Sequence, residues 1–254
     1  MLLIIDLGNT NLTLGLFEDK KLVAHWRLAT DAVRMPDEYG LQLLGLLQHY
    51  EYKPPQLDGI ILSSVVPPLT ERVIQACDDF LQREPMVVNP SLKLNIRIRY
   101  DDPMTVGADR IADAVAVQAQ YGGPACIIDF GTATTFNALT ADADYLGGAI
   151  LPGIGLAADA LVQRTAQLPP FELKAPPSVI GRNTRHALQS GLIFGYASMV
   201  EGMVNRFRQE LGQDLKVVGT GGHINKIQGH THAIQEVRPW LTLEGLQIIW
   251  EMNR

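Results

Sequence analysis

Apolar and polar positions divide the first third of the chain into short alternating elements. Residues 2–7, 11–17 and 22–28 have strand character, separated by the polar turns Asn9-Thr10-Asn11 and Glu18-Asp19-Lys20-Lys21. After Pro36, the segment DEYGLQLLGLLQHY sets Leu41, Leu43, Leu44 and Leu47 at helical spacing. A strand over 58–63, a helix from Pro67 to about Gln82 and a short strand at 86–88 follow. Residues 90–106 read as loop, and 107–121, rich in Ala and Val, as helix. The second half restarts with strands at 124–129, 133–140 and 145–150 and a helix from about 153. The Pro-rich stretch 168–178 reads as loop, 184–211 as one long helix, and 215–218 as a strand leading into GTGG. A final helix begins near Thr242, the expected N-cap. Strands alternating with helices predict a layered α/β protein.

The pattern also repeats. IIDLGNTNLTLGL at 4–16 returns as IIDFGTATTFNAL at 127–139, so that Asp6 recurs as Asp129, 123 residues on. Ile4/Ile127, Ile5/Ile128, Gly8/Gly131 and Leu16/Leu139 coincide as well. Each copy opens a β-rich half, which predicts two domains of one plan, at 1–120 and 121–254, with a cleft between them. An aspartate at a strand end, then Gly and small hydroxyl or amide residues, makes a tight hairpin whose backbone can approach phosphate oxygens. The carboxylate can hold the cation that neutralises them. The bland alternative is that Asp6 and Asn9 only shape a turn. A domain-sized repeat of the whole phrase counts against it.

Bulk properties narrow the classes. The chain has 254 residues, 46% hydrophobic and 19% charged, which suits a folded globular protein with a large core. No apolar run reaches the ~20 residues that span a bilayer. MLLIIDLGN lacks a basic n-region and reads as a strand, which makes a cytoplasmic location the expectation. Net charge is −6 without a Lys/Arg cluster, which disfavours nucleic acid and leaves no call for a membrane surface. Cys77 and Cys126 have no CxxC spacing and read as buried small hydrophobes. His230 and His232 stand two apart without a third ligand and read as loop residues, not a metal site.

Six segments carry a resemblance to a known family: DLGNTN (6–11), SSVVP (63–67), GADR (107–110), IIDFGTATT (127–135), GGAILPGI (147–154) and GTGG (219–222). Together they resemble the type III pantothenate kinases, within the fold superfamily of actin, sugar kinases and the 70-kDa heat-shock proteins. The resemblance runs over nearly the whole chain. It implies two duplicated actin-like (ribonuclease H-like) domains, each a mixed sheet flanked by helices. It also implies ATP-dependent phosphorylation of pantothenate to 4'-phosphopantothenate, the first step of coenzyme A biosynthesis. Asp102, in YDDP, departs from the Asn expected there.

The same resemblance assigns roles. Asp6 is expected to hold Mg²⁺, and Asp6, Leu7, Gly8, Asn9, Thr10, Asn11, Leu12 and Thr13, with Thr132, to bind ATP. Asp109 is the expected general base, kept ionised by the helix N-terminus; read alone, it is equally a first-turn complement to the helix dipole. Arg110 offers a fork for the pantothenate carboxylate, against the alternative of a solvated side chain or one paired with Asp113. Tyr100, Gly107 and Ala108 complete the substrate pocket. Thr184 contacts pantothenate across a homodimer interface, or is simply a helix N-cap. Asp129 binds the monovalent cation, K⁺ or NH₄⁺. Gly219 to Gly222 are expected against adenine or in an ordinary turn, with His223 able to touch the nucleotide. Two other readings remain: a kinase or phosphatase acting on another small alcohol or phosphate chain, and a non-catalytic nucleotide-binding transcriptional accessory factor.

Overall fold

The computed structural model describes residues 1–164 and 168–254, and these separate into two compact units. The first holds Met1–Asn95, Asp101–Ala116 and Thr242–Arg254; the second holds Ile96–Tyr100 and Val117–Leu241. A single cut at residue 120 differs from these units in three places, the first being that the boundary falls between Ala116 and Val117. The C-terminal helix returns to the first unit, and residues 96–100 join the second.

In the first unit, β1 (Leu2–Leu7) is central. It pairs antiparallel with β2 (Asn11–Glu18) and parallel with β4 (Gly59–Ser64). With β3 (Lys21–Ala29) and β5 (Met86–Val87) the sheet order is β3-β2-β1-β4-β5. Helices α1 (Pro36–His49) and α2 (Pro67–Leu81) cover one face, burying Tyr39, Leu43, Leu47, Val73 and Cys77 against Leu3, Ile5 and Leu16. Ile4 and Ile61 are fully buried too. Burial on both faces explains why β1 and β4 read as unbroken apolar runs rather than alternating ones.

The returning helix, α7 (Leu241–Asn253), is seated by glycines. A Cβ on Gly59 would lie 1.9 Å from the Trp250 ring, and one on Gly245 would lie 1.9 Å from the Ala112 carbonyl oxygen. Thr242 lies inside this helix and is not its N-cap. Its hydroxyl donates instead to Asp113 Oδ1 at 2.7 Å, tying α7 to α3 (Ala108–Gln120).

The second unit repeats the plan. β7 (Ala125–Phe130) pairs antiparallel with β8 (Ala133–Leu139) and parallel with β10 (Lys216–Thr220). With β9 (Asp144–Pro152), β11 (Glu236–Val237) and the two-residue β6 (Arg97–Ile98), the order is β11-β10-β7-β8-β9-β6. Without β6 this is the order of the first sheet, strand for strand, with the same parallel and antiparallel senses. β6 arises within the expected loop because Arg97 and Arg99 both bond Asp144 Oδ1, at 2.6 and 3.1 Å, pinning the segment to the edge of β9. Helices α4 (Ile154–Gln163) and α5 (Thr184–Leu211) and the short α6 (Ile224–Ile227) bury Ile154, Leu192, Ile193, Val200 and Ile224 against Cys126, Ile128 and Phe136. The long helix has the bounds expected from its pattern. Its N-cap is Asn183, whose Oδ1 accepts the His186 amide at 2.9 Å, so Thr184 is the first helical residue rather than the cap. Both cysteines are buried and free, and burial pushes their thiols up to about 12, as expected of small core residues.

Candidate active site

The sheet registers fix the two aspartates at matching points. Asp6, on β1, lies beside Thr13 of β2 and Ser63 of β4; Asp129, on β7, lies beside Thr135 of β8 and Thr220 of β10. Each carboxylate thus stands at the carboxyl end of a central strand, where an open α/β sheet presents its ligand-binding edge. Ser63 is fully buried, and its hydroxyl donates to Asp6 Oδ1 at 2.9 Å. The motif SSVVP marked this segment without a role for Ser63; the parallel pairing that delivers it is a tertiary fact.

The hairpin from residue 8 to 11 closes by the Gly8 amide donating to the Asn11 carbonyl at 3.0 Å. Thr30 bonds two more carbonyls. Its hydroxyl donates to Gly8 O at 2.7 Å and its amide to Thr10 O at 2.9 Å. The carbonyl oxygens of Gly8, Thr10 and Asn11 are all engaged within the unit, which spares an incoming anion their repulsion. Asn9, Thr10 and Asn11 are exposed, whereas Leu7 and Leu12 are buried and belong to the core beneath; Thr13 is half-buried.

Asp109 sits in the first turn of α3, curled over the helix start, where its Oδ1 accepts the Arg110 amide at 2.7 Å. A Cβ on Gly107 would lie 2.5 Å from that oxygen, so a side chain there would displace the Asp109 carboxylate. Burial raises the Asp109 pKa, although the Arg110 amide and guanidinium both act to lower it. The helix N-terminus was expected to keep this carboxylate low; desolvation outweighs it. Asp6 is pushed up to about 7, first by burial, then by the negative charge of Asp109, with Ser63 working in the opposite direction. The two carboxylates of the first unit are therefore electrostatically coupled. Arg110 is only 8% exposed, which removes the solvated reading. Beside Gly107 and Ala108 opens a pocket of about 340 Å³, lined also by Ser64, Val65, Asn89 and Met104. Asp102 caps the short turn after it, accepting the Met104 amide at 3.0 Å, a task Asn performs equally well.

The other expected site residues lie in the second unit. Tyr100 packs its ring on Gly147, at φ +105°, where a Cβ would come within 2.6 Å of the ring. Gly153 is forced by the hairpin: a Cβ there would lie 2.2 Å from Thr132 O and 2.5 Å from Gly131 O. The GGAILPGI segment is thus a series of close backbone approaches. Gly221, at φ +95°, brings GTGG against Asp129, with a Cβ position 2.2 Å from its Oδ1. This close approach is to the aspartate strand. Thr132 is exposed at the hairpin tip. Thr184, exposed on α5, lines an apolar pocket of about 390 Å³ with Leu161, Leu188 and Leu192. His223 donates its amide to Phe130 O at 3.1 Å, and the His230 ring packs edge-on against Phe194.

The sequence pattern that describes type III pantothenate kinases matches residues 2–206. This chain belongs to that family. A type III pantothenate kinase from Roseiflexus sp. (strain RS-1) is 50% identical over 254 residues, the full length of both chains. One from Moorella thermoacetica is 46% identical over 253 residues, again covering both chains completely. Solved structures carry the fold likeness. A putative Baf family transcriptional activator from Campylobacter jejuni superposes with a TM-score of 0.63 at 20% identity, covering 98% of this chain and 97% of that one. An inorganic polyphosphate/ATP-glucomannokinase from Arthrobacter sp. strain KM superposes at 0.53 with 13% identity, covering 98% of each chain. At these identities the likeness is one of fold alone.

Proposed function

We propose that this chain phosphorylates pantothenate with ATP, giving 4'-phosphopantothenate and ADP, the first step of coenzyme A biosynthesis. Family membership supports the substrate. The observation that carries the chemistry is the coupled pair of carboxylates, Asp6 and Asp109, on one unit beside a hairpin with its carbonyls engaged. Phosphoryl transfer asks for positioning, charge neutralisation and a place for one proton. The pantothenate hydroxyl oxygen bonds the γ-phosphorus, the bond from that phosphorus to ADP breaks, and Asp109 takes the hydroxyl proton. A raised proton affinity suits that task.

Asp6 fits a divalent cation: it is crowded by a second negative charge, which such an ion relieves. Among the described residues no three His, Cys, Asp or Glu side chains come together. Mg²⁺ would therefore keep waters or take phosphate oxygens, its common habit. When bound, it neutralises charge on the transferring phosphate. Residues 6–13 and Thr132 hold the nucleotide. Arg110 takes the substrate carboxylate, with Gly107, Ala108, Tyr100 and Thr184 completing the site. Asp129, with Gly131 and Gly221 leaving room at its carboxylate, holds K⁺ or NH₄⁺.

The homodimer belongs to the same reading. Leu156 and Ile150 stay 53% and 62% exposed; Leu156 lines one apolar concavity on α4, and Leu161 joins it to a second, on α5, that Thr184 lines. Such a face suits a second copy. No helix among the described residues is long and apolar enough to cross a membrane. A cytoplasmic enzyme with a small-molecule substrate, and no nucleic acid, completes the proposal.

The test is ADP release with ATP, Mg²⁺ and pantothenate, in K⁺ and in Na⁺ buffers. Turnover that requires both pantothenate and K⁺ supports the reaction and the role of Asp129 together. Release indifferent to pantothenate points to another alcohol or to a phosphatase. ATP binding without turnover favours the accessory factor.

A further inference from the structure

The two hairpins are braced at matching points by different means. The residue after β3 and the residue after β9, Thr30 and Gly153, are 123 apart, the offset of the two aspartates. Each donates its amide to a hairpin carbonyl: Thr30 to Thr10 O at 2.9 Å, Gly153 to Thr132 O at 3.0 Å. In the second copy the Gly153 backbone presses directly on the hairpin, with no room for a side chain. In the first copy the gap is bridged by the Thr30 hydroxyl, which takes Gly8 O at 2.7 Å. That bond lies outside the β2–β3 ladder.

Thr30 is itself held from behind. Arg72, on α2, donates from Nη1 to Ala32 O and to Arg34 O, both at 3.0 Å. The Tyr39 hydroxyl, on α1, donates to Asp31 O at 3.1 Å, and the Val33 amide to Asp31 Oδ1 at 3.1 Å. The segment after β3 is thus anchored to both helices, and the Thr30 hydroxyl carries a side-chain contact from it to the hairpin.

We propose that Thr30 is the positioning residue of the nucleotide hairpin, holding the Gly8 carbonyl turned inward so that residues 8–11 receive phosphate without rearranging. The inference rests on the reading of residues 6–13 as the ATP site. Without the hydroxyl, Gly8 O loses its partner and the hairpin loses one of its restraints, so part of the binding energy goes into ordering it.

Calorimetric binding of a non-hydrolysable ATP analogue with Mg²⁺ tests this on Thr30→Val, Thr30→Ser and wild type, with Thr30→Ala substituting should the valine variant not fold. Loss of one such bond predicts about tenfold weaker binding for Thr30→Val, with Thr30→Ser within about twofold of wild type. The KM for pantothenate at saturating ATP stays unchanged in both. Amide exchange of Asn9 and Thr10 in the ligand-free protein quickens in the valine variant alone. Equal affinity for Thr30→Val and wild type overturns the proposal, as does a serine variant as weak as the valine one. A parallel rise in both KM values overturns it too, since a general loss of structure would act so. A wild type that binds the analogue but does not phosphorylate pantothenate defeats the functional reading while the comparison of variants still decides the role of Thr30. A wild type that binds no analogue overturns both.

Discussion

Replacing Asp6 by Asn in the ligand-free protein removes a charge that the fold tolerates poorly. The amide keeps an oxygen to accept from Ser63, so the packing change is small. The Asp6 carboxyl moves from 3.8 to about 7, chiefly through burial. A group that holds its proton more tightly when folded costs stability as pH rises through the gap between the two values. At ~1.4 kcal/mol per tenfold change in proton affinity, the full cost is ~4 kcal/mol, present above about pH 7 and absent below about pH 4. Asp6→Asn, which cannot titrate, escapes it. Urea unfolding in chelator, followed through Trp26 and Trp250 of the first unit in a Trp240→Phe background, measures the difference. The variant should gain ~3 kcal/mol on wild type between about pH 4.5 and about pH 8. A gap that stays constant across that range would refute the raised pKa and the electrostatic pairing with Asp109. Asp109→Asn should shift the wild-type dependence to lower pH, because it removes the second cause.

Three further outcomes are expected. In steady-state assays Asp109→Asn lowers kcat by roughly 10²- to 10⁴-fold while calorimetry finds nucleotide and pantothenate binding nearly intact; normal turnover removes Asp109 from the reaction. Gly153→Ala places a Cβ 2.2 Å from Thr132 O and should lower stability by about 1–3 kcal/mol in thermal unfolding, where an unchanged midpoint would show the approach to be loose. Leu156→Glu, on the exposed apolar face of α4, should give a monomer in analytical ultracentrifugation, and a dimer of undiminished strength would move the interface elsewhere.

Local chemistry alone determined much of this protein. The doubled phrase, read from β-period runs ending in Asp and Gly, announced a duplication that the two sheets repeat in strand order and sense. The long helix was legible to the residue, because a 28-residue stretch has many turns over which to register its pattern. The residues around Asp6 and Asp129 were picked out by local pattern, since carboxylate, glycine and hydroxyl at that spacing suit a tight phosphate-binding hairpin, whereas Asp109, Arg110, Tyr100 and Thr184 came only from the family resemblance.

What tertiary structure decided was every property that depends on distant neighbours. β6 exists because Arg97 and Arg99 find Asp144, some 45 residues on. The last helix belongs to the first unit because Gly59 and Gly245 leave room for Trp250 and for the Ala112 carbonyl, and Thr242 therefore meets Asp113 instead of capping. The raised proton affinity of Asp109 reverses the sign that its place on the helix suggests, because burial is a property of the surrounding fold. Ser63 and Thr30 gained their roles from pairing and packing that join segments 57 and 22 residues apart. A sequence states which groups are present and their local spacing; the dielectric around them and the partners they meet arise only once the chain has closed on itself.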